Sequence, residues 1–149
     1  MSKIYNGLFE NSLRIVLMLR TLSSPQNLGR LCDLDFLTAY GQSFGITDTN
    51  INGTSIYLFS EYSARRSVVE SALTELVLDG LVFVRESDQG FLYSLTEEGE
   101  EYADSLNSTY ATQYRNASMA VKEFASDKTD SNLYAFITSV ASHYLRRSR

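Results

Sequence analysis

The 149-residue sequence is poor in the residues that build covalent and metal-bound centres, with one cysteine, Cys32, and one histidine, His143. A single thiol cannot form an internal disulfide, and no cysteine–histidine spacing suits a zinc ion. The neighbouring Leu31 and Leu34 favour a buried, inert Cys32 over a reactive one. No apolar run approaches the ~18 residues of a membrane helix, and the N-terminus lacks the order of a signal peptide. We therefore expect a cytoplasmic protein without membrane contact.

The sequence also lacks catalytic motifs. His143 is the sole candidate base for a Ser-His-Asp arrangement, and no motif surrounds it. There is no phosphate loop of the GxxxxGK[ST] type. The acidic run at residues 97–101 could attract a divalent cation, but acidic residues are ordinary at the start of a helix. We predict no enzyme activity, no cofactor and no metal site.

Positive charge is scarce, because the formal net charge is −5. Nine acidic residues but only one basic residue, Arg85, lie between residues 75 and 104. Contacts to phosphate supply most non-specific affinity for DNA, so a segment this acidic would repel a duplex.

The apolar spacing predicts helices over residues 12–21, 28–41 and 63–79. Gly80 stands where a glycine ends a helix, and two strands at residues 81–86 and 91–95 flank the turn Ser-Asp-Gln-Gly. Thr96 is a predicted N-cap for a helical region to about residue 125, either one helix or two with a break near Asn107. Residues 133–145 form a last amphipathic helix, whereas residues 55–59 could be a strand or an ordered loop.

This order predicts a mainly α protein with a small β-hairpin wing. We interpret it as a winged helix-turn-helix domain, residues 1–106, with a C-terminal helical extension, residues 107–149. An unrelated α+β domain is the alternative.

Winged helix domains usually read DNA, with the outer face of the third helix in the major groove. On that face only Arg66 and its neighbour Arg65 could hold phosphate or a guanine edge. A solvated helix face is an equally good interpretation. A second basic cluster at the C-terminus, with Arg146 and Arg147, could meet phosphate, meet an acidic partner or simply favour the helix end.

The predicted hairpin is apolar on both faces. If Leu81 and Phe83 face the core, Val82 and Val84 face outward, and Leu92 faces outward on the returning strand. Either the C-terminal helices or a partner protein must cover that outer face. A second candidate partner patch, which could also be core, consists of Tyr57, Phe59 and Tyr62.

Two families resemble this chain. GLVFVRE…FLYSLTEEGEEYADSL resembles the wing and following helix of MarR- and PadR-type transcriptional regulators, which would imply a homodimer that binds DNA. A longer resemblance, over about residues 10–117, is to the middle component of ABC-three-component systems. The stretches that carry it are ENSLRIVLMLRTL, LCDLDFLTAYGQSFG and YSARRSVVESALTELVLDGLVFV.

The second resemblance implies a small subunit of a Lamassu-type bacterial defence complex against phage or plasmid DNA. Its partners would be an SMC/Rad50-like ATPase and a nuclease effector, which it would join or restrain through protein contacts. DNA would then be reached only through the complex, and the chain would need no catalytic residues of its own.

Overall fold

A computed structural model describes residues 8–53 and 57–147 of the chain. Helix α1 spans Leu8–Leu22, α2 spans Leu28–Ala39 and α3 spans Leu58–Leu78. Strands β1, Val82–Ser87, and β2, Gly90–Leu95, form an antiparallel hairpin. Helices α4, Glu97–Ser105, α5, Thr109–Ala125, and α6, Asp130–Arg147, complete the chain. The predicted mainly helical protein with one small hairpin is confirmed.

Helix α1 is the centre of the protein. Its sequence is apolar around the whole circumference between Ile15 and Leu19, and these residues are buried. A helix that is apolar on all sides must be enclosed. Helices α2, α3, α4 and α5 all pack against α1.

Of the two alternatives for residues 97–125, two helices with a break near Asn107 is the one observed, since α4 ends at Ser105 and Ser108 caps α5 through a bond from the Ala111 amide. The residues after this break belong to the same hydrophobic core as the rest of the chain. Helix α5 packs on α1 and α2, and α6 packs on α2 and α3.

Helix α3 begins at Leu58 rather than at residue 63, so Leu58 and Phe59 of the ambiguous apolar run are helical. It ends in a Schellman motif, because Gly80 has a φ of 78° and the Leu81 and Gly80 amides donate to the carbonyls of Leu76 and Val77. The helix therefore turns directly into the hairpin.

The hairpin is joined to α4 by Thr96 and Gly99. The Thr96 hydroxyl accepts a hydrogen bond from the Gly99 amide, as predicted for an N-cap, and donates one to the carbonyl of Gly80. A Cβ on Gly99 would overlap the carbonyl oxygen of Leu81, so only glycine permits this close approach.

A buried ion cluster, defined by Arg14, Asp35, Arg65 and Tyr114, joins α1, α2, α3 and α5. Arg14 forms a bidentate pair with Asp35, with Nε–Oδ1 and Nη2–Oδ2 distances of 3.0 and 2.9 Å. Arg65 donates to Oδ2 at 2.5 Å, and the Tyr114 hydroxyl donates to Oδ1 at 2.6 Å. Burial by itself would raise the pKa of Asp35, but the two guanidinium charges and the hydroxyl outweigh it and lower that pKa.

We expect Asp35→Asn to destabilise the fold strongly, because it leaves two buried guanidinium groups without their counter-charge. Breaking one side of a buried ion pair costs about 3–5 kcal/mol. Urea unfolding of the variant would measure this loss as a lower free energy of unfolding. Asp104→Asn is the matched control, because Asp104 makes a bidentate pair with Arg20 at the surface, and a far smaller loss is expected there. Equal losses for the two variants would contradict a structural role for the cluster.

Candidate partner-binding surfaces

The pairing register of the hairpin determines which side chains share a face. Val82, Val84 and Glu86 pair with Leu95, Tyr93 and Phe91. These six residues form one face, and Phe83, Arg85, Leu92 and Ser94 belong to the other.

The first face packs against the core through Val82, Tyr93 and Leu95. Val82 is 2% exposed, so the prediction that Val82 faces outward is wrong, and Phe83 rather than Val82 lies on the outer face with Leu92. The error arose because both strands are apolar at consecutive positions, which leaves the facing undecided in the sequence.

Beyond its base the hairpin extends past the core. Phe83 is 48% exposed, Val84 is 42% exposed and Phe91 is 57% exposed, while Leu92 is half-buried. We call these four residues the hairpin surface. The hairpin packs against α1, α2, α3 and α4, whereas α5 and α6 use their apolar residues on α1, α2 and α3. Of the two alternatives for covering the outer face, cover by the C-terminal helices is therefore not the one observed.

The segment that contains the hairpin is acidic. All nine acidic residues between residues 75 and 104 are exposed to solvent. Arg85 is the only basic residue in that interval and is also exposed. Exposed apolar residues in so acidic a segment complement a basic, partly apolar partner, and the segment repels phosphate.

A second surface, the aromatic groove, is defined by Phe59, Tyr62 and Tyr134 with Asp33 and Arg66. It lies between α2, the first half of α3 and the start of α6, and encloses about 640 Å³. The rings of Tyr62 and Tyr134 are 6.3 Å apart, and the Tyr62 hydroxyl donates to Asp33 Oδ1 at 2.7 Å. The candidate patch predicted from Phe59 and Tyr62 therefore lies at a concave surface, next to which Tyr57 precedes α3 and is exposed.

The two candidate arginines on α3 have different positions. Arg65 belongs to the buried ion cluster, where its guanidinium binds Asp35 and is not directed to the surface that would face DNA. Arg66 is exposed and lines both the aromatic groove and an adjoining cavity of about 430 Å³ that Phe91 also lines. Arg66 thus stands between the aromatic groove and the hairpin surface.

The predicted basic cluster at the C-terminus is only partly described. Arg146 and Arg147 belong to the last turn of α6, but their side chains lie outside the described residues.

Cys32 also lines the aromatic groove but is buried, and burial together with the nearby carboxylates of Asp35 and Asp33 raises the pKa of its thiol to about 12. Its thiol is therefore protonated at neutral pH, as expected for an inert cysteine. Among residues 8–53 and 57–147, no group of three histidine, cysteine or acidic side chains could hold a metal ion. No helix within these ranges is long and apolar enough to cross a membrane.

Sequence reasoning missed the role of Tyr134 in the groove and the exposure of Phe83 and Phe91. The two acids in the buried run LCDLDFL were a usable signal, because Asp33 and Asp35 among apolar residues require buried hydrogen-bond partners. The partners themselves, Tyr62 and the two arginines, come from distant segments.

The family model for ABC-three component (ABC-3C) system Middle Component 2 matches residues 4–147. Neither the comparison with curated proteins nor the comparison with solved structures gave a match. A middle component of a multi-component system implies protein partners.

We predict that Asp33 makes the protein less stable as the pH rises from about 4 to about 6. Burial raises the pKa of Asp33 from 3.8 to about 6, against a smaller opposing effect of the Tyr62 hydrogen bond. The folded state therefore holds this proton more tightly than the unfolded state, and the free energy of unfolding decreases by roughly 2 kcal/mol across that interval. Urea unfolding over a pH series measures this decrease in the free energy of unfolding.

Asp33→Asn should remove this decrease. The same variant should keep the opposite effect of Asp35, whose lowered pKa gives stability that is lost as the pH falls below its ordinary value. If Asp33→Asn shows the same decrease in the free energy of unfolding as the unchanged protein, the decrease comes from another group.

Proposed function

Since this chain belongs to the middle component 2 family of ABC-3C systems, we propose that it is a non-catalytic adaptor subunit of a bacterial defence complex. Its partners would be an SMC/Rad50-like ATPase and a nuclease effector of the Lamassu type, and it would join or restrain them in the cytoplasm. The observation that carries the proposal is the hairpin surface, whose exposed apolar residues lie in an acidic segment and are left uncovered by the described helices.

The winged helix interpretation is part of this proposal. Gln26, between α1 and α2, forms a two-bond bridge with Tyr93 of β2, so a single residue of a third strand pairs with the hairpin. The order helix, bridge, helix, helix, hairpin, helix is that of a winged helix. In this chain the wing would bind protein.

The charge supports a protein partner over a direct DNA contact. Because Arg65 is bound in the buried ion cluster, Arg66 is the only basic residue on the exposed face of α3. Glu70 lies one turn further on the same helix. The adaptor would therefore engage DNA only through its partners, whereas a MarR- or PadR-like regulator needs a basic reader.

We expect Phe91→Asp to weaken the complex, because it replaces an exposed apolar side chain of the hairpin surface with a charge. An anchor residue of this kind contributes about 2 kcal/mol or more, which is about a 30-fold loss of affinity. The measurement is co-purification and titration with the subunits encoded beside this gene, together with circular dichroism of the isolated variant.

Met119→Asp is the matched control, because Met119 is 58% exposed on α5, which has no principal contact with the hairpin. This variant should assemble normally. Val82→Asp should instead unfold the isolated chain, since Val82 is core. Normal assembly of Phe91→Asp would remove the hairpin surface from the interface.

The isolated protein should bind duplex DNA no more tightly than the micromolar range at physiological salt, as measured by fluorescence anisotropy. A nanomolar, sequence-specific footprint from the pure protein would instead favour the transcriptional regulator.

A further inference from the structure

The outer edge of β1 is open within the described residues. Strand β2 has neighbours on both sides, β1 on one and Gln26 on the other. The Gln26 amide donates to the Tyr93 carbonyl at 3.0 Å, and the Tyr93 amide donates to the Gln26 carbonyl at 2.8 Å. Strand β1 pairs only with β2 in the part of the chain that the structure describes.

The bridge to Gln26 fixes which backbone groups of β1 point outward. Tyr93 directs both its amide and its carbonyl away from β1, so Val84 and Tyr93 are a non-hydrogen-bonded pair of the antiparallel ladder. Hydrogen-bonded and non-hydrogen-bonded pairs alternate, so the amides and carbonyls of Val84 and Glu86 face the open edge.

These outward groups are available for pairing. No backbone hydrogen bond within the described ranges reaches the amide or the carbonyl of Val84 or Glu86, and both residues are exposed. An open edge strand is a template for another strand. On one face of the hairpin, Val84 of this edge strand and Phe91 of β2 are both exposed apolar side chains.

The charge around the edge selects the occupant. Glu86 lies on the edge strand, Asp88 lies in the turn, and Asp79 precedes the hairpin, whereas Arg85, the one basic residue of the two strands, lies on the opposite face from Glu86. A second copy of this chain would add a hairpin region of the same net negative charge, which is less favourable than a basic partner. A segment that carries lysine or arginine together with apolar residues would complement these acids.

We infer that the edge of β1 binds an extended segment of a partner subunit by strand addition, and that this segment carries apolar residues together with lysine or arginine on the face that it shares with Val84 and Glu86. This inference rests on the proposed adaptor function. The segment exchanges main-chain hydrogen bonds with Val84 and Glu86. On that shared face its apolar side chains contact Val84, and its basic side chains approach Glu86 and Asp88.

Glu86→Pro tests the main-chain bonds. Proline removes the outward amide, and a proline whose missing amide would face solvent is tolerated on an edge strand, so the isolated variant should fold. Glu86→Ala is the matched control, because it removes the same carboxylate but keeps the amide. We expect the proline variant to bind the co-expressed partner subunits about three- to ten-fold more weakly than the alanine variant, the loss for one hydrogen bond.

Hydrogen exchange of the full chain, alone and in the assembled complex, supplies the second readout. The amides of Val84 and Glu86 should exchange rapidly in the isolated protein and slowly in the complex. If the complex forms while these amides stay unprotected and the two variants bind equally, strand addition is overturned and the adaptor function stands. If they are protected in an isolated dimer, the occupant is a second copy and the inference is overturned. If the wild-type protein forms no complex, the adaptor function itself fails.

Discussion

The carboxylate of Asp35 is the constraint on which the arrangement of helices depends. It is fully buried on α2 and accepts four hydrogen bonds, from Arg14 of α1, Arg65 of α3 and Tyr114 of α5. A buried charge is tolerated only when it is paired, so these helices can pack closely only in an arrangement that brings these groups to Asp35. The cluster also decides surface chemistry, because Arg65 is held inside while its neighbour Arg66 faces the aromatic groove.

The same constraint makes the C-terminal helices part of the main body. Tyr114 reaches Asp35 from α5, and Arg30 of α2 binds the turn between α5 and α6 through the Ala125 and Lys128 carbonyls and Asp130. Because α5 and α6 are committed to these contacts, they are not available to cover the hairpin. The apolar residues of the hairpin surface are left to solvent or to a partner. The proposed adaptor function and the open edge of β1 therefore concern the same element.

Local signals predicted the elements and their junctions well. The glycine that ends α3 and the threonine that caps α4 are present as predicted, since φ preference and capping depend on neighbouring residues only. The candidate sites were predicted less well. Val82 was assigned to the wrong face and the ion pair of Arg65 was missed, because strand facing and ion pairing depend on segments far away in the chain. Phe59 and Tyr62 were identified, but Tyr134, which completes their groove, was not.

The sequence by itself determined the mainly helical composition with one hairpin and the acidic character of residues 75–104. These follow from periodicity, turn residues and charge, which are properties of short stretches. Only the tertiary structure decided that Val82 is core while Phe91 is surface, that Arg65 is a structural cation, and that the bridge to Gln26 leaves the other edge of the hairpin open. Each of these three features depends on contacts between residues that are distant in the sequence. The pairing of buried charges and the register of the strands determine those contacts.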